Sequence, residues 1–358
     1  MMNKNSKLFT VGPVEMYPQT LQIEGTQLPY FRTDEFSSLM FKVERYFKNS
    51  VFAGADSKFV CLTCSGTGAM EATVVNILDT DDKVLVINGG SFGNRFKEIC
   101  ELHGIPNDEY FIPYGKPFDK SEFEKFDNCG YTALLVNACE TSTSQKYDLD
   151  FLGEFCRRNK MLFIVDAVSA YLADPIYMEN QGIDVLFTAS QKALALSPGL
   201  SLILLSDKVY QNRVINNKKA SYYFDFENYV DNQKRGQPPF TCAVGVALSL
   251  YQRLADIDLN GVEAEWALHK KRAEYFREKA VNLPLRLPSF DMSNSCTAIL
   301  FDDIDASKIY ENLKEKYGIV LTPSGGNIKS KQLRVGHLGN LTLNDYDFLI
   351  EKLRKELL

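Results

Sequence analysis

Histidine is scarce in this 358-residue chain. His103, His269 and His337 are far apart and in no metal-ligand spacing, so histidine-based metal or triad chemistry is poorly supplied. Long apolar runs are missing too. No stretch approaches the ~18 apolar residues of a membrane span, and the amino-terminal Met-Met-Asn-Lys-Asn-Ser-Lys leads into no apolar signal region. The expectation is a cytoplasmic protein with no membrane partner. No basic run stands out and the net charge is −6, which argues against nucleic acid as the main partner. Eight cysteines are scattered from Cys61 to Cys296 without a regular framework, so reduced thiols are the default. The single CxxC, Cys61-Leu-Thr-Cys64, has no second pair and reads as two small apolar residues in a strand. Repeats and low-complexity segments are absent.

What is present is ordinary for a folded protein, with 45% hydrophobic and 24% charged residues, and the length suits two domains or one large α/β unit. Residues 8–18 form a Gly/Pro-punctuated arm. A helical pattern runs through Phe41, Val43, Tyr46 and Phe47. Arg32, just before it, is either a solvated helix-flanking charge or a residue at a site mouth. Apolar runs near 58–63, 83–87, 131–136, 162–165, 185–187 and 199–205 read as strands, with helices at 66–78, 89–103 and 149–159 between the earlier ones. That alternation predicts a mainly parallel sheet covered on both faces. Residues 220–241 are irregular and aromatic. Long helical patterns fill 243–282 with a break near Asn260-Gly261. Beyond them, a strand-helix-strand-strand-helix order predicts a small α+β domain, its last helix opening at Thr342 with a capping-box spacing to Asp345.

The chemistry collects at strand ends. Ser65-Gly-Thr-Gly-Ala-Met-Glu71 turns a strand into a helix, and its glycines and helix amino terminus suit an anion, most simply a phosphate. A dinucleotide fingerprint is disfavoured, because Glu71 stands at the third glycine position and the next strand ends in Asn88-Gly-Gly without an acid for a ribose. Phe92, in a glycine-rich loop, is either a core residue or a ring to stack on a flat ligand. Cys139-Glu-Thr-Ser-Thr-Ser144 gathers hydroxyls where polar ligand contacts are expected. Asp166 ends the strand 162–165, and Lys192 sits in a loop between two core strands. Carboxyl ends of strands in open α/β sheets are where ligands bind. A buried ammonium is expensive unless its charge is used or removed. A lysine and an aspartate together there suit pyridoxal phosphate, the lysine as Schiff-base nucleophile and the aspartate on the pyridinium nitrogen.

The order and spacing of Gly12-Pro13, Ser65-Gly-Thr-Gly68 with Glu71, Glu140-Thr-Ser-Thr143, Val165-Asp-Ala-Val-Ser169, Gly182-Ile-Asp184, Ser190-Gln-Lys192, Pro198-Gly199, Phe240-Thr241 and Leu333-Arg-Val-Gly336 resemble the class V aminotransferases of the fold-type-I pyridoxal phosphate enzymes. The alanine/serine–glyoxylate or pyruvate branch and the 2-aminoethylphosphonate–pyruvate branch are nearest. The resemblance covers nearly the whole chain. It implies an α/β fold, with an arm at 1–15, a large cofactor-binding domain at 16–250 carrying a mainly parallel mixed sheet, and a small α+β domain at 251–358. It implies that Lys192 bonds covalently to pyridoxal phosphate, Asp166 binds the pyridine nitrogen, Phe92 stacks on the ring and Val168 packs beneath it. Thr67, Gly68 and Gln191 would hold the phosphate, with Ala69 beside them and Thr141 near the ring oxygen. Thr241 matches a phosphate contact that the family supplies from the other subunit of a homodimer, and Arg334 matches the arginine that binds substrate carboxylate. Three positions depart from the pattern: Ala69 replaces a polar residue, Ser144 a common glycine, and Pro238 a tyrosine that reaches the phosphate in some members.

The expected reaction moves an amino group from a small donor such as alanine or serine to pyruvate or glyoxylate by a ping-pong sequence. Arg334 lies on an alternating strand, opposite Leu333 and Val335, and its fork suits a carboxylate or a phosphonate. A 2-aminoethylphosphonate–pyruvate aminotransferase is therefore the first alternative. A pyridoxal phosphate lyase or cysteine desulfurase is the second, disfavoured by Gln191 where that group resembles a histidine before the lysine, and by the positions of Cys242 and Cys296.

Overall fold

The structure, a computed structural model, describes residues 6–215 and 221–358. Seven strands make the main sheet: β1 (Lys58–Leu62), β2 (Val84–Asn88), β3 (Asn107–Phe111), β4 (Ala133–Asn137), β5 (Leu162–Asp166), β6 (Val185–Ala189) and β7 (Ser201–Leu205). They lie in the order β1-β7-β6-β5-β4-β2-β3. Only β7 runs against its neighbours; the other pairs are parallel. This is the mainly parallel mixed sheet that the alternating pattern predicts.

The period of two along each strand decides which side chain joins which core. Leu134 and Val136 of β4 pack with Phe163 and Val165 of β5 on one face, while Ala133 and Leu135 pack with Leu162 and Ile164 on the other. Among the helices that cover these faces are α1 (Asp34–Ser50), α2 (Gly66–Ile77), α3 (Ser91–Leu102), α4 (Leu149–Asn159) and α5 (Val244–Asn260). Helices α2 and α3 cover the second face, and α1, α4 and α5 the first. Local chemistry sets their ends: Asp148 caps α4 by accepting from the Phe151 N–H at 3.1 Å, and Ser65 caps α2.

Gly261, at φ +83°, breaks α5 from α6 (Val262–Ala280). The expected division at 250/251 falls within α5, which is continuous across it. The last part holds α7 (Ala306–Tyr317), α8 (Leu343–Leu357) and an antiparallel sheet of β8 (Cys296–Leu300), β9 (Thr322–Pro323) and β10 (Gln332–Gly336), ordered β8-β10-β9. Both hydrogen bonds of the capping box form between Thr342 and Asp345. Of the arm expected at 1–15, residues 1–5 lie outside the described residues, as does Ala220 of the aromatic stretch. Lys7–Leu8 pairs in parallel with Ile319–Val320. Phe9 is fully buried in the core of the small sheet, a contribution of about 1.5–3 kcal/mol.

Candidate active site

A cavity of about 260 Å³ opens at the carboxyl ends of β5 and β6, walled by the Gly12-Pro13 arm, the amino terminus of α2 and Phe92. Its volume is just under the ~300 Å³ at which pockets for drug-sized ligands begin, so it suits a small flat ligand.

Lys192 reaches this cavity because its loop is tied to itself. The Ser190 hydroxyl donates to the Ser197 carbonyl at 2.7 Å and accepts from the Leu200 N–H at 3.2 Å, while the Ala195 N–H donates to the Lys192 carbonyl at 2.9 Å. The lysine is buried, and its Nζ donates to the Val11 carbonyl at 2.7 Å. Gly12 makes that approach possible: at φ +131°, a Cβ on it would come within 2.5 Å of Lys192 Cδ. Burial pushes the Lys192 amine down to about 8; Arg334 acts in the same direction, whereas Cys296 and Asp166 oppose it.

Asp166 is the last residue of β5 and is buried in the same cavity. Its carboxylate accepts from the Val168 N–H at 2.7 Å and from Asn137 Nδ2 at 2.6 Å. Burial pushes its carboxyl up to about 6, opposed by these two hydrogen bonds and by Lys192. Val168 packs close to the amino terminus of α2, where a Cβ on Gly66 would meet its Cγ2 at 2.9 Å.

Phe92 enters on the first turn of α3, whose N-cap, Gly90, has no side chain to offer. Glu140 takes over that task. Its buried carboxylate accepts from the Phe92 and Gly93 N–H groups at 3.2 and 2.9 Å and from the Ser142 N–H at 3.0 Å. An anion across the first turn of a helix also meets its dipole favourably. Sequence reasoning missed this role, although a helix opening at Gly-Gly already signals that the cap must come from elsewhere.

Thr141 lines the cavity, and its hydroxyl is hydrogen-bonded to Ser169. Its carbonyl accepts from Arg334 Nη1 at 3.0 Å, while Arg334 Nη2 donates to the Pro323 carbonyl at 2.8 Å. Leu333 and Val335 point into the small-sheet core, so Arg334 takes the opposite side, as the alternation predicts. It is buried rather than solvated and stands beside the cavity wall. Its Nε–H is buried without a partner among the described residues, and burial lowers its guanidinium from the ordinary value.

Thr67 and Gln191 line the cavity, and the Gln191 Oε1 is buried without a donor. Gly68 is not among the residues lining this cavity, and its N–H lies 3.4 Å from the Ser65 hydroxyl. Ala69 is buried in the core behind, its N–H already given to the Ser65 carbonyl at 3.1 Å. Thr241 is exposed and not among the residues lining this cavity. Arg32 flanks α1 but is not a solvated charge: Nη1 and Nη2 donate to the Pro238 and Pro239 carbonyls at 2.6 and 3.0 Å, fixing the loop that leads to Thr241. Two further residues of the wall went unread in the sequence. Cys139 lines the cavity in contact with Cys296 of β8, and Arg95 stands beside Thr67.

These residues fit pyridoxal phosphate. The cavity offers an amine whose pKa is lowered to about 8, a carboxylate for a ring nitrogen, an aromatic wall, and a helix amino terminus next to an amide whose buried oxygen has no partner among the described residues. Rotating the Gln191 amide would present its NH2 instead.

Known proteins share the sequence and fold of this chain. The chain is similar to the alanine–glyoxylate aminotransferase of Callithrix jacchus, 30% identical over 97% of this chain and 86% of that one. It is also similar to a soluble hydrogenase small subunit of Synechococcus sp. (strain PCC 6716), 29% identical over 94% and 89%. Among solved structures, an alanine–glyoxylate aminotransferase from Nostoc sp. superposes with a TM-score of 0.93 at 25% identity, covering 100% of this chain and 97% of the other. A family model described as aminotransferase class-V spans residues 32–334, from the arginine that fixes the Thr241 loop to the arginine beside the cavity, and the chain belongs to that family.

Proposed function

We propose that this aminotransferase uses pyridoxal phosphate to move the amino group of a small donor, such as alanine or serine, to pyruvate or glyoxylate in two half-reactions. The observation that carries the reading is the burial of Lys192 and Asp166 in one cavity, with Arg334 held behind its wall on the Thr141 carbonyl.

Lys192 would hold the cofactor through its amine, and that amine would also be the base that moves the substrate α-proton. An amine held near pKa 8 is matched to both tasks at neutral pH. When bound, the cofactor supplies an electron sink for the electron pair left at the substrate α-carbon. Asp166, ionised above about pH 6, would favour positive charge on a ring nitrogen held beside it. Phe92 and Val168 would cover the two ring faces, with Thr141 near the ring oxygen. Thr67, Gly68 and Gln191 would receive the phosphate. Arg334 would hold the substrate carboxylate with the donors its two carbonyl contacts leave over.

A homodimer in the cytoplasm completes the reading. Thr241 stands outside its own cavity, as a residue serving a second copy would. Leu21, Leu28, Tyr30 and Tyr222 are large apolar side chains left exposed, which suits a face covered by a partner.

The test is a purified protein with a visible absorbance band that borohydride abolishes and that Lys192→Ala lacks, followed by a panel of donors against pyruvate and glyoxylate. Turnover with alanine or serine is the expected result. Turnover with 2-aminoethylphosphonate alone would reassign the donor. Sulfide release from cysteine, without transamination, would replace the reading by a desulfurase. A reducible band in Lys192→Ala would remove the lysine from its role.

A further inference from the structure

We propose that Arg95 supplies the permanent positive charge for the cofactor phosphate in this chain, an inference that rests on the reading just given. Lys192 and Arg95 are the two cations among the residues lining the cavity. Lys192 is committed to the carbonyl chemistry, and its amine sits near pKa 8, so it cannot also be a fixed counter-charge. A phosphate monoester brings roughly −1.5 to −2 charges at neutral pH, whereas a helix amino terminus offers the equivalent of only about +0.5. Hydroxyls and amides add hydrogen bonds but no charge. A full positive charge is therefore wanting at the amino terminus of α2.

Arg95 is positioned to provide it. It lies on α3, one turn beyond Phe92, and its guanidinium packs over the Phe92 ring with its carbon 4.8 Å from the ring centroid. Nη1 donates to the Thr67 hydroxyl at 2.9 Å, and Thr67 is the second residue of α2, on the turn proposed to receive the phosphate. Among the described residues no carboxylate neutralises it at ion-pair distance; Thr67 and the Phe92 ring are its contacts. A guanidinium has five donors in a planar fork that matches phosphate oxygens, and one bond to a hydroxyl leaves most of them unused.

The test compares pyridoxal 5′-phosphate with pyridoxal, which has the aldehyde and ring but no phosphate. Apoprotein is titrated with each and the dissociation constants are read from absorbance, for wild type, Arg95→Gln and Arg95→Lys. Arg95→Gln should weaken pyridoxal 5′-phosphate by about tenfold to a hundredfold, the weight of a charge-assisted contact, and leave pyridoxal within about threefold. Arg95→Lys should fall between, and inorganic phosphate should compete with the cofactor less well in Arg95→Gln than in wild type. Equal loss for both ligands would show that Arg95 only supports Phe92 and Thr67, and unchanged affinity would show that the phosphate finds its charge elsewhere; either result overturns the inference. If Arg95→Gln does not fold, the same comparison on Arg95→Lys decides it. Failure of wild type to bind the cofactor would instead remove the reading on which the inference rests.

Discussion

The Glu140 carboxylate and the Gly93 N–H meet at 2.9 Å across 47 residues of sequence, joining the hydroxyl cluster to the helix that carries Phe92. The same carboxylate serves Phe92 and Ser142, so one buried side chain organises two walls of the cavity. Glu140→Ala leaves these donors without an acceptor, and the apoprotein should lose about 2 kcal/mol in urea denaturation. Glu140→Gln should lose less, because the amide oxygen still accepts. A Glu140→Ala protein as stable as wild type would show that water replaces the carboxylate without penalty.

Lys192 gives the apoprotein a pH signature. Its amine lies near 10.5 when unfolded and at about 8 in the fold. Across that window the unfolded chain binds the extra proton, so stability from this group is present at high pH and lost as pH falls toward 8. Lys192→Met should flatten this part of the stability profile and be more stable than wild type at pH 7, by about 1–3 kcal/mol. Thermal unfolding of apoprotein from pH 7 to 10 checks it, and parallel wild-type and variant profiles would count against a displaced amine.

Asp166 has the opposite sign. Its carboxyl lies near 3.8 in the unfolded chain and is pushed up to about 6 by burial. The fold holds the proton longer, so stability from this group is full below about pH 4 and lost as pH rises through 6. Asp166→Asn should remove that slope in the apoprotein while slowing turnover by ~10²-fold or more, about 3 kcal/mol of transition-state stabilisation. Cofactor should be retained. Near-normal turnover in the variant would show that the ring needs no carboxylate.

Arg334→Lys keeps a charge but gives up the fork. The two carbonyls that hold the guanidinium, those of Thr141 and Pro323, cannot both be satisfied in the same geometry by an ammonium. Steady-state kinetics should show kcat/KM for carboxylate substrates reduced by ~10²-fold, with cofactor affinity unchanged. Equal kinetics for every accepted donor and acceptor would rule out Arg334 as the anion anchor.

The inner strands of the sheet were legible because β4 through β7 are buried on both faces and therefore carry continuous apolar runs. Strand β3, Asn-Asp-Glu-Tyr-Phe, was not, since it sits at the sheet edge beside β2 alone and is half solvated. The helix Phe226–Gln233 was hidden in the aromatic stretch, where its buried face is Phe226, Tyr229, Val230 and Gln233 rather than an aliphatic stripe. In the site, Lys192 and Asp166 could be read because charged residues at the ends of apolar strands are anomalous. Glu140, Cys139 and Arg95 could not: each gains its place from a partner distant in sequence, Gly93, Cys296 and Thr67 respectively.

The amino-terminal arm belongs to two bodies at once. The Lys7 and Phe9 N–H groups bond the carbonyls of Gly318 and Val320, the Val11 N–H bonds the Thr322 hydroxyl, and the Phe9 carbonyl accepts from Gly336, so the arm is stitched to the small domain. Its next contact, the Val11 carbonyl, holds the Lys192 amine at the floor of the large one. The arm is thus a tether between the small sheet and the Lys192 amine. Any displacement of the small sheet that carries Val11 with it takes away the acceptor of the Lys192 amine.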